Sequence, residues 1–287
     1  MKSARFGIYL PNQAPVCNEP SRSRYPGCRI RHGGGRMVTQ ERHKRILELL
    51  ARDQRVAASA LAEEFSVSED TIRRDLRELA EEGLLRRVYG GAVPRTPISP
   101  TYAGRREESV AAKGAIAATV AGLLRPGQLI FLDAGTTATA VASQLPADLK
   151  LTVVTHSLPV ASVLAEHPLV DVILLGGRLL KDSLSLAGAE TVEGYRKFRA
   201  DLCVLGTASV HPELGLGVFS HEDAEVKRAM VAAATEVIVI AAGEKLCTTA
   251  PYVVGPLSLI DRLVTDAPAP AGFARELALA GVELVQR

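Results

Sequence analysis

The 287-residue sequence contains no tryptophan, only four cysteines and no apolar run of 18 residues. A membrane-spanning helix needs about 20 consecutive apolar residues, so the sequence predicts no such helix. The cysteines, Cys17, Cys28, Cys203 and Cys247, show no C-x-x-C spacing, and the group Cys17, Cys28 and His32 lacks a fourth zinc ligand. We therefore expect no metal, no cofactor and a reduced, cytoplasmic setting.

The rest of the composition is that of an ordinary globular protein, with 47% hydrophobic and 23% charged residues, and the length allows about two domains. The net charge of +2 is unevenly spread: residues 1–36 carry +6, residues 37–95 carry zero and residues 96–287 carry −4. Within residues 37–95, binding of an anionic polymer must therefore depend on where individual arginines lie.

Residues 41–82 show the periodicity of a helix-turn-helix unit. Apolar side chains recur at helical spacing over residues 41–52 and 69–82. A shorter helix between them is predicted to start with a cap at Ser59, and Ser68 is placed to cap the helix at 69–82. The alternative is a set of amphipathic helices with a solvated charged face, because arginine-rich helix faces are common.

The flanking residues favour DNA binding. A short strand is predicted at 55–57, and a β-hairpin with a glycine pair at 84–93. With three helices these make a winged helix-turn-helix, whose last helix enters the major groove. Arg86 is expected to add charge to this surface, whereas Asp75 could pair with an arginine inside the domain. The predicted DNA contacts are Ser68, Thr71, Arg73, Arg74, Arg77, Arg87 and Tyr89.

The stretch VSEDTIRRDLRELAEEGLLRRVYGGAV, residues 67–93, resembles the DNA-binding signature of the DeoR family of bacterial transcription regulators. In that family a TIRRDL recognition helix precedes an R-x-x-GGA wing. The resemblance extends over residues 40–95 and departs from the family at Tyr89, where histidine is usual. It implies double-stranded operator DNA as a partner and, because helix-turn-helix proteins commonly dimerise, a homo-oligomer.

Residues 1–36 are rich in arginine, proline, glycine and serine and show no helical period. One interpretation is a basic arm that contacts DNA phosphates. We favour a disordered leader or a misassigned start, because Met37 leads directly into the first helix and resembles the usual family N-terminus. Removal of residues 1–36 is then expected to leave the melting temperature and the DNA affinity unchanged.

A proline-containing linker over residues 94–104 precedes residues 105–287, in which strand-like apolar runs alternate with helical stretches. The predicted strands are 129–132, 151–154, 170–175, 202–205, 237–241 and 259–264. The predicted helices are 108–124, 136–144, 158–165, 191–198 and 224–234. This alternation predicts an α/β class with a doubly wound, mostly parallel sheet covered on both faces. Ligands bind such sheets at the carboxyl ends of the strands.

The loop after the first of these strands has the composition of an anion site. Gly135 allows a sharp turn after Asp133, Thr136 and Thr137 offer hydroxyls, and the following helix offers free amides. The alternative is a tight turn with threonine caps. Polar groups after the other strands each have an ordinary structural explanation, but together they predict a convergent pocket. The groups that follow strands are Thr155, His156, Gly176, Gly177 and Lys245, and Lys227 joins them from the predicted helix at 224–234.

The segments LDAGTT, VVTHS, LLGG and DAEVKRAM resemble the effector domain of DeoR-family regulators. The resemblance covers residues 105–266 and implies a fold similar to that of sugar-phosphate isomerases and coenzyme A transferases, which senses a phosphorylated sugar or related metabolite. It implies that residues 133–137 hold phosphate and sugar hydroxyls and that Lys227 and Lys245 match family lysines. The sequence departs from the family pattern at His156, Asp223 and residues 242–244.

Three functions are compatible with these features. The first, which we favour, is a transcriptional regulator, a repressor of a carbohydrate-metabolism operon that responds to a phosphorylated small molecule. The second is a sugar-phosphate isomerase or transferase with an added DNA-binding module. Against an enzyme, Asp133 and Glu225 are available carboxylates without a visible partner that would tune either for proton transfer. The third is a constitutive DNA binder whose second domain only forms oligomers.

Overall fold

The computed structural model describes residues 38–53, 55–95, 101–270 and 272–286. The predicted leader, residues 1–36, and residues 96–100 of the predicted linker lie outside this part of the chain. None of the helices in the described part has both the length and the apolar character needed to span a membrane.

The N-terminal part of the described chain, residues 38–53 and 55–95, folds as a winged helix-turn-helix. Its elements are α1 (Thr39–Asp53), β1 (Val56–Ala57), α2 (Ala58–Glu64), α3 (Glu69–Glu81), β2 (Arg86–Val88) and β3 (Gly91–Val93). The three helices enclose a core that contains Ile46, Leu61 and Ile72. The strands form an antiparallel sheet in the order β1-β3-β2. Gly91 is required there, because a Cβ atom would lie 1.9 Å from the Val56 carbonyl oxygen.

The two predicted helix caps have different outcomes. Ser68 caps α3, since its hydroxyl accepts a hydrogen bond from the Thr71 amide at 3.2 Å. The cap predicted at Ser59 is wrong. Helix α2 begins at Ala58, immediately after β1, and the Ala58 amide donates instead to the Gly90 carbonyl of the wing at 2.8 Å. The wing hairpin therefore supplies the acceptor that a capping side chain would otherwise provide.

The rest of the described chain, residues 101–270 and 272–286, has the predicted α/β architecture, and we call it the second half. Its helices are α4 (Tyr102–Glu107), α5 (Val110–Ala121), α6 (Thr136–Ser143), α7 (Leu158–Leu164), α8 (Ala189–Arg196), α9 (His221–Ala232) and α10 (Phe273–Leu279). Its strands are β4 (Leu129–Leu132), β5 (Leu151–Thr155), β6 (Val170–Leu174), β7 (Arg178–Leu180), β8 (Ser185–Ala187), β9 (Ala200–Gly206), β10 (Ser209–His211), β11 (Gly215–Val218), β12 (Ala234–Ile240), β13 (Tyr252–Gly255), β14 (Arg262–Thr265) and β15 (Glu283–Gln286). Two 3₁₀ turns lie at Gly243–Lys245 and Leu257–Leu259.

Seven of these strands form one parallel sheet in the order β15-β14-β12-β9-β4-β5-β6. One face packs against α5, α6 and α7 through residues such as Val120 and Val141, and the other against α8, α9 and α10 through Tyr195 and Met230. The chain runs outward from β4 through β5 to β6 and then returns to β9, on the other side of β4. The carboxyl ends of β4 and β9 therefore flank the topological switch point, where such sheets bind ligands.

Several elements of the second half differ from the prediction. The strand predicted at 259–264 begins at Arg262, because Leu257–Leu259 form a 3₁₀ turn, and a seventh strand, β15, was not predicted. The first half of helix α4 lies within the predicted linker. The antiparallel pair β7-β8 and the sheet β10-β11-β13 were also missed. Strands of three or four residues are too short to show a clear period of two.

The wing contacts the second half directly, through the segment before β13. The Thr249 amide donates to the Pro94 carbonyl at 3.2 Å. The Arg86 guanidinium donates to the Ala250 carbonyl. These hydrogen bonds join β2 and the end of β3 to a segment that is more than 150 residues away in the sequence.

Candidate functional site

The outer face of α3 carries the three arginines that the sequence assigned to DNA. Arg73, Arg74 and Arg77 are all exposed, and Thr71 is half-buried near the start of the helix. Arg73 forms ion pairs with acidic residues in the first turn of α3, and Arg74 lies 3.1 Å from Glu78 Oε1. Exposed pairs of this kind stabilise a helix only slightly, so they can be exchanged for phosphate contacts at little cost.

The wing presents a second exposed surface. Arg87 is exposed on β2, and Tyr89, at the tip of the hairpin, is completely exposed. Arg86 differs from this pattern, because its guanidinium donates to the Ala250 carbonyl of the second half. The expectation that Arg86 adds charge to the DNA-binding surface stays a prediction, because a hydrogen bond to a neutral carbonyl leaves the guanidinium charged. Its side chain joins the wing to the rest of the protein.

A buried ion pair fixes α3 against α1. Arg42 and Asp75 are both buried, and Arg42 Nη2 donates to Asp75 Oδ1 at 2.8 Å. His43 Nε2 lies 3.2 Å from the same oxygen. Asp75 thus pairs inside the domain, as the sequence allowed, but its partner comes from α1. The pair leaves the outer arginines of α3 unaffected and sets the orientation of that helix.

A cavity of about 640 Å³ opens at the switch point of the parallel sheet. We call it the switch-point cavity. Its walls are formed by the loop after β4, the residues after β9, the β7-β8 turn and the start of α9. Its lining includes Arg105, Gly135, Thr136, Thr137, Lys181, Asp182, Gly206, Thr207, Ser220, Asp223, Lys227 and Lys245.

The loop predicted to bind an anion forms one wall of this cavity. Gly135, with a φ of 116°, precedes α6 and allows the chain to turn from β4 into the helix. Thr136 and Thr137 begin α6 and are more than nine-tenths buried. Their hydroxyls make no hydrogen bond to another residue in the described ranges. Hydroxyls and helix amides are thus available together at the same wall, which is the arrangement an oxyanion requires.

Lys227 lies at the cavity but its charge is already compensated. Its ammonium donates to the fully buried carboxylate of Asp133 and lies 3.3 Å from Asp223 Oδ1. The Gly206 amide donates to the same Asp133 carboxylate at 2.7 Å. Burial lowers the pKa of Lys227, but the two carboxylates outweigh this effect and raise the pKa above its usual value. Lys227 therefore remains charged as part of an internal ion-pair network that joins β4 to α9.

His156 lies behind the cavity rather than on its surface. The ring is buried, and its Nδ1 atom is 2.7 Å from the Tyr195 hydroxyl. Burial, with help from the nearby Lys227 ammonium, lowers the pKa of His156 to about 3, so the ring is neutral at physiological pH. Thr155 is also buried, and its hydroxyl accepts a hydrogen bond from the Ser157 amide at 3.1 Å.

Gly176 and Gly177 also lie outside the lining of the cavity. The Thr191 hydroxyl donates to the Gly176 carbonyl at 2.7 Å. A Cβ atom at Gly177 would lie 2.2 Å from the same hydroxyl, at a φ of 146°. These glycines are needed for the close approach of the backbone to α8. The structure does not bring them together with Thr136 and Thr137.

Lys245 and Arg105 line the cavity beside α6. Lys245 Nζ donates to the Thr207 carbonyl at 2.9 Å. Burial and then the charge of Arg105 lower the pKa of Lys245 to about 8. Arg105, on α4, was not singled out in the sequence, although the adjacent basic pair at positions 105 and 106 was visible just before the predicted helix. Tyr195, the partner of His156, had no recognisable sequence signal.

The chain is similar to known transcriptional repressors along most of its length. It is 34% identical over 242 residues to the glycerol-3-phosphate regulon repressor of Escherichia coli (strain K12), covering 84% of this chain and 96% of that protein. It is 34% identical over 251 residues to the HTH-type transcriptional repressor GlcR of Bacillus subtilis (strain 168), and the match covers 87% of this chain and 96% of that protein. Among solved structures, ribose 5-phosphate isomerase A from Methanocaldococcus jannaschii matches this chain with 15% sequence identity and a TM-score of 0.34. The match covers 47% of this chain and 53% of that chain.

Family models match both halves of the molecule. The DeoR-like helix-turn-helix domain matches residues 42–97, which contain the exposed arginines of α3 and the wing. The DeoR C terminal sensor domain matches residues 108–267, which contain most of the switch-point cavity. The chain therefore belongs to the DeoR family of DNA-binding transcriptional regulators.

Proposed function

We propose that this protein represses a carbohydrate-metabolism operon and that a phosphorylated sugar or related metabolite controls its affinity for operator DNA from the switch-point cavity. The observation that carries the proposal is the position of Thr136 and Thr137. Both residues are largely buried and line a cavity at the switch point of a parallel sheet, and their hydroxyls make no hydrogen bond to another described residue. We further propose that the protein acts as a homo-oligomer, because helix-turn-helix proteins read paired half-sites as dimers.

The size and charge of the cavity support a small, anionic ligand. A volume of about 640 Å³ lies within the range of about 300–1,000 Å³ that small-molecule sites occupy. Lys245 and the N-terminus of α6 supply positive charge at one wall. The names of the relatives from Escherichia coli and Bacillus subtilis support repression as the mode of action, and the former supports a phosphorylated three-carbon polyol as one ligand to test.

An isomerase or transferase function has less support. Glu225 is exposed and lies 2.6 Å from the Arg228 guanidinium, on the outer surface of α9. Asp133 accepts hydrogen bonds from Lys227 and from the Gly206 amide, so one of its oxygens is already occupied. Neither carboxylate is placed as a free base facing the cavity. We therefore propose a binding role without turnover, which a phosphosugar isomerase assay on the full chain would test.

Calorimetric titration of the full chain tests the effector site. A panel of sugar and polyol phosphates is compared with the same compounds without phosphate. We expect binding only of phosphorylated members, and its loss when Thr136 and Thr137 are both replaced by alanine. Ser143→Ala is the matched control, because Ser143 is an exposed hydroxyl at the other end of α6. Equal affinity for a sugar and its phosphate, or binding retained in the double variant, would place the site elsewhere.

The affinity for a phosphorylated ligand should fall at alkaline pH. With a pKa of about 8, the Lys245 ammonium is present below pH 8 and is lost as the pH rises through that value. A phosphate monoester keeps its two negative charges above about pH 6. Affinity should therefore be highest between about pH 6 and 8 and weaken by up to about tenfold by pH 9.5. A Lys245→Met variant should bind more weakly and show no such decline, whereas a flat wild-type profile would contradict this role.

A further inference from the structure

A short segment, residues 245–250, runs from the switch-point cavity to the wing, and we call it the connecting segment. Its first residue, Lys245, lines the cavity, and the Lys245 ammonium donates to the Thr207 carbonyl at 2.9 Å. The carbonyl of its last residue, Ala250, accepts a hydrogen bond from the Arg86 guanidinium of β2. The proposed ligand site and the DNA-binding domain are therefore joined by six consecutive residues.

We propose that Arg86 is a positioning residue, which transmits the occupation of the switch-point cavity through the connecting segment to the wing. The proposal rests on the effector site proposed above and adds the route by which that site controls the affinity for DNA. Allosteric coupling requires an element with two arrangements whose equilibrium both sites shift. The connecting segment contacts both sites, so it can serve as that element.

A bound phosphate would change the cavity end of the connecting segment. The Lys245 ammonium donates to a neutral acceptor, the Thr207 carbonyl, whereas phosphate oxygens are charged acceptors that form stronger hydrogen bonds. A phosphate bound at Thr136 would therefore draw the ammonium away from that carbonyl and toward α6. Because Lys245 also begins the connecting segment, a change in the partner of its side chain acts on the backbone of that segment.

The connecting segment is buried beyond its first residue and is held internally, so it can shift as a unit. The Thr248 hydroxyl donates to the Lys245 carbonyl at 2.8 Å, and Leu246 pairs with Val210 of β10 in a parallel bridge. Cys247 has a φ of 57°, in the left-handed region that residues other than glycine rarely adopt. Strained positions of this kind are typical of switch regions, because relief of the strain favours a second arrangement.

At its other end, the connecting segment holds both strands of the wing hairpin. Arg86 belongs to β2, and the Thr249 amide and hydroxyl both donate to the carbonyl of Pro94, which follows β3, at 3.2 and 3.3 Å. The same hairpin carries Arg87 and Tyr89, which are exposed. A shift of the connecting segment therefore changes the position of the side chains that the wing presents to DNA.

Operator binding by the full chain, with and without inorganic phosphate as the probe, tests the proposal. The readout is the ratio of the two operator affinities at equal ionic strength, because salt alone weakens DNA binding. A contact of Arg86 with DNA that is the same in both conditions cancels in this ratio. The wild-type ratio should be at least about fivefold, and Arg86→Met should bring it to within about twofold of unity. Calorimetry should show that Arg86→Met still binds phosphate.

Arg87→Ala is the matched control, because Arg87 is the next residue of β2 and is exposed. It should lower the operator affinity by the same factor with and without phosphate, so its ratio should equal that of the wild type. Arg86→Lys keeps the charge and a donor and should retain the response to phosphate. Thr249→Val removes the hydroxyl donor to Pro94 without a change of charge, and it should lower the ratio as well.

A wild-type ratio in a folded Arg86→Met variant, or in Thr249→Val if Arg86→Met does not fold, would overturn the proposal. Phosphate binding by the wild-type chain without any change in operator affinity would also overturn it and would leave the effector site in place. A wild-type chain that binds no phosphate would refute the effector site itself, together with the coupling that rests on it.

Discussion

Replacing Arg73 and Arg74 together by alanine is expected to weaken operator binding by about 2–6 kcal/mol, which is at least about thirtyfold. Both side chains are exposed on α3, the helix that enters the major groove in this class of domain. Their present partners are exposed acidic residues on the same helix, so the fold loses little when they are removed. Fluorescence anisotropy with an operator selected from random duplexes measures the change.

The control for charge is the pair Arg196→Ala and Arg199→Ala, which removes the same charge from exposed positions in the second half of the chain. That variant should keep its operator affinity within about twofold. Replacing the two arginines one at a time separates their roles, since loss of a base contact relaxes specificity at one position. Loss of a phosphate contact weakens all sequences alike. Normal operator binding by a folded Arg73→Ala, Arg74→Ala variant would refute the proposed surface.

Lys227→Ala is expected to destabilise the second half of the protein by about 3–5 kcal/mol, the usual cost of removing one partner from a buried ion pair. The substitution leaves the fully buried Asp133 carboxylate without its ammonium partner, and it leaves Asp223 facing it. Urea unfolding, followed by a signal from this half, measures the effect. Loss of the effector response in this variant would therefore report unfolding and not a missing phosphate contact.

Two further variants test this explanation of the Lys227 effect. Lys197→Ala, at an exposed lysine after α8, should unfold like the wild-type protein. Combining Lys227→Met with Asp133→Asn removes a buried charge of each sign and should recover part of the lost stability. A Lys227→Ala variant within about 1 kcal/mol of wild type would mean that the ion-pair network contributes little.

The parts of the fold that local sequence could predict are those with a strong period. The apolar stripe of α3 and the capping hydroxyl of Ser68 predicted the position of the recognition helix. The apolar runs of β4, β5 and β9 predicted the positions of the central strands. The same reasoning failed for β7, β8 and β10, which have three residues each. It also missed β15, an edge strand of the parallel sheet, which has only four residues.

The chemistry of the site depends on contacts that no local pattern contains. Asp133 and Lys227 are 94 residues apart in the sequence, and only the folded structure shows that their opposite charges compensate each other. Arg86 and Ala250 are 164 residues apart, so the contact of this wing arginine with the second half could not be predicted from the sequence. The loop around Thr136 was predictable because hydroxyls, glycine and a helix start are adjacent in sequence.

The central claim is that a phosphorylated metabolite in the switch-point cavity changes the affinity of this protein for its operator. Its most direct test is operator binding by the full chain, measured with and without each member of the panel of phosphorylated and unphosphorylated sugars and polyols. At least one phosphorylated compound should change the operator affinity by about 5–150-fold, a coupling of about 1–3 kcal/mol. The unphosphorylated compounds should have no effect, and Thr136→Ala with Thr137→Ala should remove the response while unliganded operator binding remains. An operator affinity that no phosphorylated compound changes, or that a sugar and its phosphate change equally, would contradict the claim.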